Sequence, residues 1–210
     1  MTVQAAPDGR RTRWDDHRRT RREQLVDAAL RAIRTHGAGV GMDEVAAAAD
    51  TSKAAVYRYF ADRGELHLAV CTRASEQLVG QVTAALADED EPRRQLAAGI
   101  DAYLRVIEAD PEVYRFVHAP RVTVIGAHVA RLIAERLASH GLDSSAAGPW
   151  GHGIVGLVES AADHWLAEPQ AMTREALRDH LTDLAWSGLA GILAAAGGPV
   201  DTTAPTWRSA

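Results

Sequence analysis

Lys53, Tyr57, Arg58, Tyr59 and Arg63 are the side chains whose types and spacing point most directly to a chemistry, and that chemistry is nucleic-acid recognition. Ammonium and guanidinium groups hold phosphates, and phenol hydroxyls reach phosphates or base edges. Ala54 and Ala55 lie among them and let a backbone approach closely, with their methyls available to a thymine methyl. Ser52, just ahead, can accept a free N–H of the turn that follows and so begin a helix.

The elements that must position these groups are short. In Gly41–Leu66, GMDEVAAAADTSKAAVYRYFADRGEL, the residues Val45, Ala46 and Ala49 give a first helix a small apolar face. Asp50-Thr51-Ser52 breaks it, and Val56 and Phe60, four apart, form the apolar back of a second helix. Two short helices across a tight turn, the second with a basic and aromatic front, are what entry into a major groove requires. Asp62 caps a third helix with Arg63 in its first turn, where a cation opposes the helix dipole and a phosphate partner would offset the cost.

This segment resembles the DNA-binding region of TetR-family transcriptional regulators. The resemblance rests on the Val45-Ala-x-x-Ala helix, the Ser52-initiated helix with Tyr57-x-x-Phe60, and the capped Asp62-Arg-x-x-Leu66 start. With the preceding helix it covers about a third of the chain. It implies an all-α protein with an N-terminal three-helix DNA-binding head and a larger C-terminal helical domain for ligand binding and dimerisation. It also implies DNA contacts from Ser52, Lys53, Ala54, Ala55, Tyr57, Arg58, Tyr59 and Arg63, on a palindromic double-stranded operator bound by a homodimer. Two departures stand out: Gly41 occupies a position where a phosphate-touching Thr is common, and Asp50 one where Gly is common.

Composition agrees. The 210 residues are 47% hydrophobic but only 5% aromatic, which favours closely packed helices over sheets. Residues 1–63 carry 12 basic and 9 acidic side chains, a balance of +3, while the rest balances at −8. A basic head on an acidic body fits docking in one orientation better than general coating of DNA. Cys71 is alone and no apolar run approaches about 18 residues, so no internal disulfide, no membrane span and a cytoplasmic location are expected.

Along the chain, residues 1–18 combine Pro7, Gly9 and several arginines without periodicity; they are expected to form a flexible Arg-rich arm, either a solvated tail or a phosphate or minor-groove contact. A helix is predicted from about Thr20 to His36, stopped by Gly37, and the head domain spans 19–65. Further helices are predicted at about 62–86, 93–109, 111–118, 122–140, 149–167 and 174–196, in a body of 66–197 followed by a tail of 198–210. Asp88–Pro92, Asp110-Pro111, Pro120, Gly141 with Gly148-Pro149, and Glu168-Pro169 punctuate them.

Apolar residues surround more than one face of the helices at 100–118 and 122–137, enough for a core or for an elongated cavity. Tyr103, Ile107, Phe116, His128, Trp150, Glu159 and Trp165 are the residues predicted to line such a cavity, with His118, Arg131, His152 and His164 as further polar candidates. The expected effector is a mostly apolar small molecule: a fatty acyl chain, an acyl-CoA or a lipophilic drug. The stripe Leu177, Leu181, Leu184, Ala185, Gly188, Leu189, Ile192, Leu193 and the helix before it are expected to form the dimer interface, with Leu189 and Leu193 as its test positions.

Enzymatic chemistry finds little support. Ser160 adjoins Glu159 on a helix that also holds His164, but no nucleophile-elbow glycine pattern accompanies them. His152, Glu159, Asp163 and His164 lack the His-x-x-x-His spacing of a metal site. Gly151, Gly153 and Gly156 lack the spacing of a dinucleotide loop and read as small residues that let helices approach. No catalytic residue, metal or cofactor is expected.

Overall fold

In the computed structural model the described residues are 9–117, 122–168 and 172–195, and among them every regular element is an α-helix. The order is α1 (Gly9–His36), α2 (Met42–Ala48), α3 (Lys53–Tyr57), α4 (Arg63–Ala87), α5 (Pro92–Ala109), α6 (Pro111–Phe116), α7 (Val122–Ser139), α8 (Ala147–Ala167) and α9 (Arg174–Ala195). His118 and the tail at 198–210 lie outside the described residues. The predicted all-α class holds, and most helix ends fall within two residues of expectation. One does not: α1 begins at Gly9 rather than near Thr20, so residues 9–18, read as an arm, are helical.

The ends coincide with local caps. Gly37, at φ +86°, ends α1 and donates to the Ile33 carbonyl at 2.8 Å. Glu91 accepts from the N–H groups of Arg93 and Arg94 at 2.9 and 2.8 Å, with Pro92 placed where its missing N–H costs nothing. Gly141, at φ +69°, turns the chain after α7.

The chain forms two compact units. The first holds the described residues up to Ala74 with Glu112–Val117, so the division falls within α4 and takes in part of α6. Its core is Leu25, Ala29 and Ile33 of α1 against Val45, Val56, Phe60, Leu66 and Val70, each buried. Burial of a side chain as large as Phe60 or Leu25 is worth about 2 kcal/mol. Glu112 accepts from the Ala38 N–H at 3.2 Å, and the Phe116 ring lies 4.7 Å from that of His67.

The second unit pairs its helices. α7 packs most extensively on α8, and α5 on α9. Gly151 explains the first closeness: a methyl group there would meet the backbone of Ala130 at 2.5 Å and the Gly126 carbonyl at 2.7 Å. Gly153 and Gly156 have nothing within 4 Å, so of the three glycines read as close-approach positions only Gly151 acts as one here. Charge joins the other pair. Asp183 of α9, 4% exposed, meets Arg93 of α5 at 2.5 Å, and Arg174 reaches Asp101 at 2.6 Å and Glu108 at 3.0 Å.

Candidate nucleic-acid interface and apolar cavity

α2 and α3 form the helix-turn-helix. After α2 the N–H of Thr51 donates to the Ala46 carbonyl at 3.0 Å and that of Asp50 to Ala47 at 3.1 Å, with Asp50 at φ +50°. This is the paired bonding that lets a helix stop abruptly, here with Asp in the left-handed conformation usually taken by Gly. Ser52 then caps α3, its hydroxyl accepting from the Ala55 N–H at 3.1 Å. Val56 and Phe60 are fully buried beneath, which leaves Lys53, Ala54, Tyr57 and Arg58 exposed on the outside. Ala55 and Tyr59 are half-buried.

Two of the basic groups are engaged within the head. Lys53 Nζ sits 2.8 Å from Asp43 Oδ2 of α2, and that contact is the main reason its pKa is raised. Arg63 donates to the Val40 carbonyl at 3.0 Å, one of five guanidinium N–H donors, and its side chain remains exposed. At the start of α2 the Glu44 carboxylate accepts from the Gly41 N–H at 3.0 Å. The place a side chain at Gly41 would fill is taken by the Glu44 carboxylate, whose Oε2 lies 3.0 Å from a β-carbon placed there.

Two residues went unnoticed in the sequence. Asp43 reads there as an ordinary first-turn acid, and only the fold sets it opposite Lys53. Arg22 reads as one of a crowd of arginines. In the head it lies 4.1 Å from the Phe60 ring centre, donates to the Tyr59 carbonyl at 2.5 Å and pairs with Glu65 at 2.7 Å.

The second unit contains a cavity of about 350 Å³, at the small end of the range that ligand pockets occupy. Its wall is apolar: Leu86 of α4, Leu96 of α5, Ile133 of α7, Ile154 of α8 and Leu189 of α9 all contribute. Polar groups are Asp90, Gln95, Glu135, Arg136 and Ser139, with Trp150 and Trp186 supplying aromatic surface. A narrower apolar space of about 40 Å³ is lined by Tyr103, Leu96 and Ile100 among others.

The predicted ligand residues are not gathered in one place. Trp150 lines the larger cavity and Tyr103 the smaller. Ile107 is core, and Trp165 is buried with its indole N–H donating to Met172 at 2.9 Å. His128 approaches Arg131 at 3.4 Å, and partial burial, then Arg131, lowers its pKa. Glu159 is half-buried on α8, and Phe116 packs on His67 within the head unit. No cluster of three or more potential metal ligands occurs among the described residues, and no described helix is long and apolar enough to cross a membrane.

Comparison with known proteins agrees with this geometry. Residues 25–70 match the family model for bacterial regulatory proteins of the tetR family, and residues 117–201 that for the tetracyclin repressor-like C-terminal domain. An uncharacterised HTH-type transcriptional regulator of Mycobacterium tuberculosis is 36% identical over 207 residues, covering 93% of this chain and 88% of that one. The HTH-type transcriptional activator FasR of Mycolicibacterium smegmatis is 28% identical, covering 82% of this chain and 84% of FasR. Among solved structures, a TetR-like regulator from Rhodococcus sp. RHA1 superimposes with a TM-score of 0.59 at 27% identity, covering 81% and 96% of the two chains. FadR from Bacillus subtilis, solved in complex with stearoyl-CoA, gives 0.64 at 15% identity over 79% of this chain and 98% of FadR, a likeness of fold. Head, helical body and relatives agree, and the chain belongs to the TetR family of helix-turn-helix transcriptional regulators.

Proposed function

We propose that the protein is a homodimeric cytoplasmic repressor that binds a palindromic operator through paired α3 helices and is released by a mostly apolar small molecule. The observation that carries the reading is α3 itself: a Ser52-capped helix with Val56 and Phe60 buried behind and Lys53, Ala54, Tyr57 and Arg58 open in front. Two such helices, about 34–36 Å apart, would enter successive major grooves. Ser52, Lys53, Tyr57, Arg58, Tyr59 and Arg63 would supply phosphate and base contacts, and Ala54 and Ala55 the close approach. The apolar cavity supports a fatty acyl or other lipophilic effector, whose preference for one conformation of the dimer would lower operator affinity.

Selection of bound fragments from random DNA, followed by footprinting, tests the core of the reading. A two-fold symmetric site whose affinity falls on adding effector is the expected result. Binding without sequence preference would refute it.

FasR, described as an activator and 28% identical, favours a second reading in which the same head raises transcription. A reporter behind the recovered operator separates the two: removing the protein raises expression under repression and lowers it under activation.

A further inference from the structure

The effector's polar character follows from what the cavity wall leaves unsatisfied, and this inference rests on the reading of the cavity as the effector site. We propose that the cavity selects a compact, uncharged, mostly apolar molecule carrying one hydrogen-bond acceptor, such as a ketone, ester or lactone oxygen, and that the indole N–H of Trp186 is the group that recognises it.

Three observations converge. The first is size: about 350 Å³ lies at the small end of ligand pockets, which suits a compact molecule better than a long acyl chain together with a nucleotide head. The second is charge. Glu135 is already paired with Arg131 at 2.7 Å, which leaves Asp90 and Arg136 among the lining residues, one of each sign. A bound carboxylate or phosphate would gain Arg136 and meet Asp90 in the same lining, so neither sign of ligand charge is favoured.

The third is Trp186. Its Nε1 is buried and has no hydrogen-bond partner, one of two such side-chain atoms among the described residues, and the residue lines the cavity. A buried donor left unmade is a standing cost, and an acceptor delivered through the cavity would remove it. The indole N–H of Trp165, on α8, is by contrast already satisfied by the Met172 carbonyl. Because Nε1 is buried, the Trp186 ring turns on its side-chain torsions to meet the ligand. Recognition is therefore coupled to a movement on α9, and Trp186 fluorescence would report it.

The test uses the full-length protein with three probes: 2-decanone, decanoate and decanoyl-CoA. Binding is followed by calorimetry and tryptophan fluorescence, and operator affinity is measured in parallel. The variants are Trp186→Phe and position 186 carrying benzothienylalanine, which replaces the N–H with sulfur at nearly constant shape. The expected result is that 2-decanone binds best, and that both variants lose about tenfold in its affinity, the scale of one buried hydrogen bond. Unchanged affinity in the benzothienylalanine protein, tighter binding of decanoate or decanoyl-CoA, or no binding of the ketone would each overturn the proposal. Ketone binding that depends on position 186 yet leaves operator affinity unchanged would sustain this inference and defeat the effector reading. Release of operator by decanoyl-CoA without ketone binding would do the reverse.

Discussion

The guanidinium of Arg22 lies 4.1 Å from the centre of the Phe60 ring and donates to the neighbouring Tyr59 carbonyl at 2.5 Å. The same group pairs with Glu65 at 2.7 Å, and Glu65 accepts from the Ala61 N–H at 2.6 Å. One side chain of α1 thereby ties the end of the recognition helix to the start of α4. The exposed face of α3, proposed to meet DNA, is thereby anchored by a residue that lies outside it.

Arg22→Ala should cost about 2–4 kcal/mol, the sum of an exposed cation–π contact and a charged hydrogen bond to backbone. Arg22→Lys should recover only part, because an ammonium lacks the planar fork that serves ring, carbonyl and carboxylate together. Chemical denaturation of the three proteins measures this. Glu65 adds a pH dependence: the Ala61 N–H first, then Arg22, hold its carboxyl below the ordinary carboxylate value. A lowered folded pKa stabilises above the ordinary value and is lost as pH falls through the folded one. The stability gap between wild type and Glu65→Gln should therefore close on acidification below about pH 4; a constant gap would refute the assignment.

Lys53 and Asp43 make a second, opposite relationship, since their 2.8 Å contact occupies a cation that DNA would use. Both side chains are largely exposed, so a phosphate can displace Asp43 at little cost. Lys53→Ala should weaken operator binding and flatten its salt dependence by about one unit of log–log slope. Asp43→Asn should strengthen binding to all DNA and narrow the gap between operator and random sequence, because it removes a carboxylate from the docking face. Filter binding over a salt series decides; an Asp43→Asn protein with unchanged random-sequence affinity would show that Asp43 takes no part.

How much of this was legible in the sequence depends on the range of the interaction. Ser52, Asp62 and Pro92 announce helix starts within a few residues of themselves, and those starts were read correctly. The early part of α1 was missed because residues 9–18 show no apolar period, only charge, and the helix continues without one. The cavity was harder still. Its wall draws on positions from Leu86 to Ile192, on five helices, and nothing local tells which apolar face turns toward a void. Aromatic and polar character selected Trp150 and Tyr103, which do line cavities, but also Phe116, which packs on His67. Trp186 was hidden inside a stripe of leucines and alanines.

Asp50 stores strain at the turn of the helix-turn-helix. At φ +50° it bears the left-handed penalty that Gly would not. Asp50→Gly should stabilise the head by about 0.5–1 kcal/mol, after allowing for the larger backbone entropy of Gly in the unfolded chain. Thermal melts at matched pH measure it. A loss of stability would mean that the Asp50 side chain makes a compensating contact.

Gly151→Ala should act in the other direction. The added methyl would strike Ala130 and Gly126 backbone at 2.5–2.7 Å, and backbone cannot swing aside as a side chain can. α7 and α8 must part, at about 1–3 kcal/mol. Gly153→Ala on the same helix meets nothing within 4 Å and should instead gain up to about 1 kcal/mol of helix propensity. Equal effects of the two substitutions would argue against close packing at Gly151.

Two leucines on α9 separate the proposed dimer surface from the cavity. Leu184 is 60% exposed, and Leu157 on α8 is also exposed, an arrangement that a single chain leaves in water and a second copy could cover. Leu189, named above with Leu193 as a test position for the interface, also lines the cavity, and the side chain of Leu193 lies outside the described residues. Leu184→Glu should yield monomers that bind operator at least tenfold more weakly, since each head then docks alone. Leu189→Glu should leave the mass in solution unchanged and abolish effector binding, because a carboxylate in an apolar wall excludes an apolar ligand. Light scattering coupled to size exclusion reads the first and calorimetry the second. A Leu184→Glu protein that remains dimeric would move the interface off this face of α9.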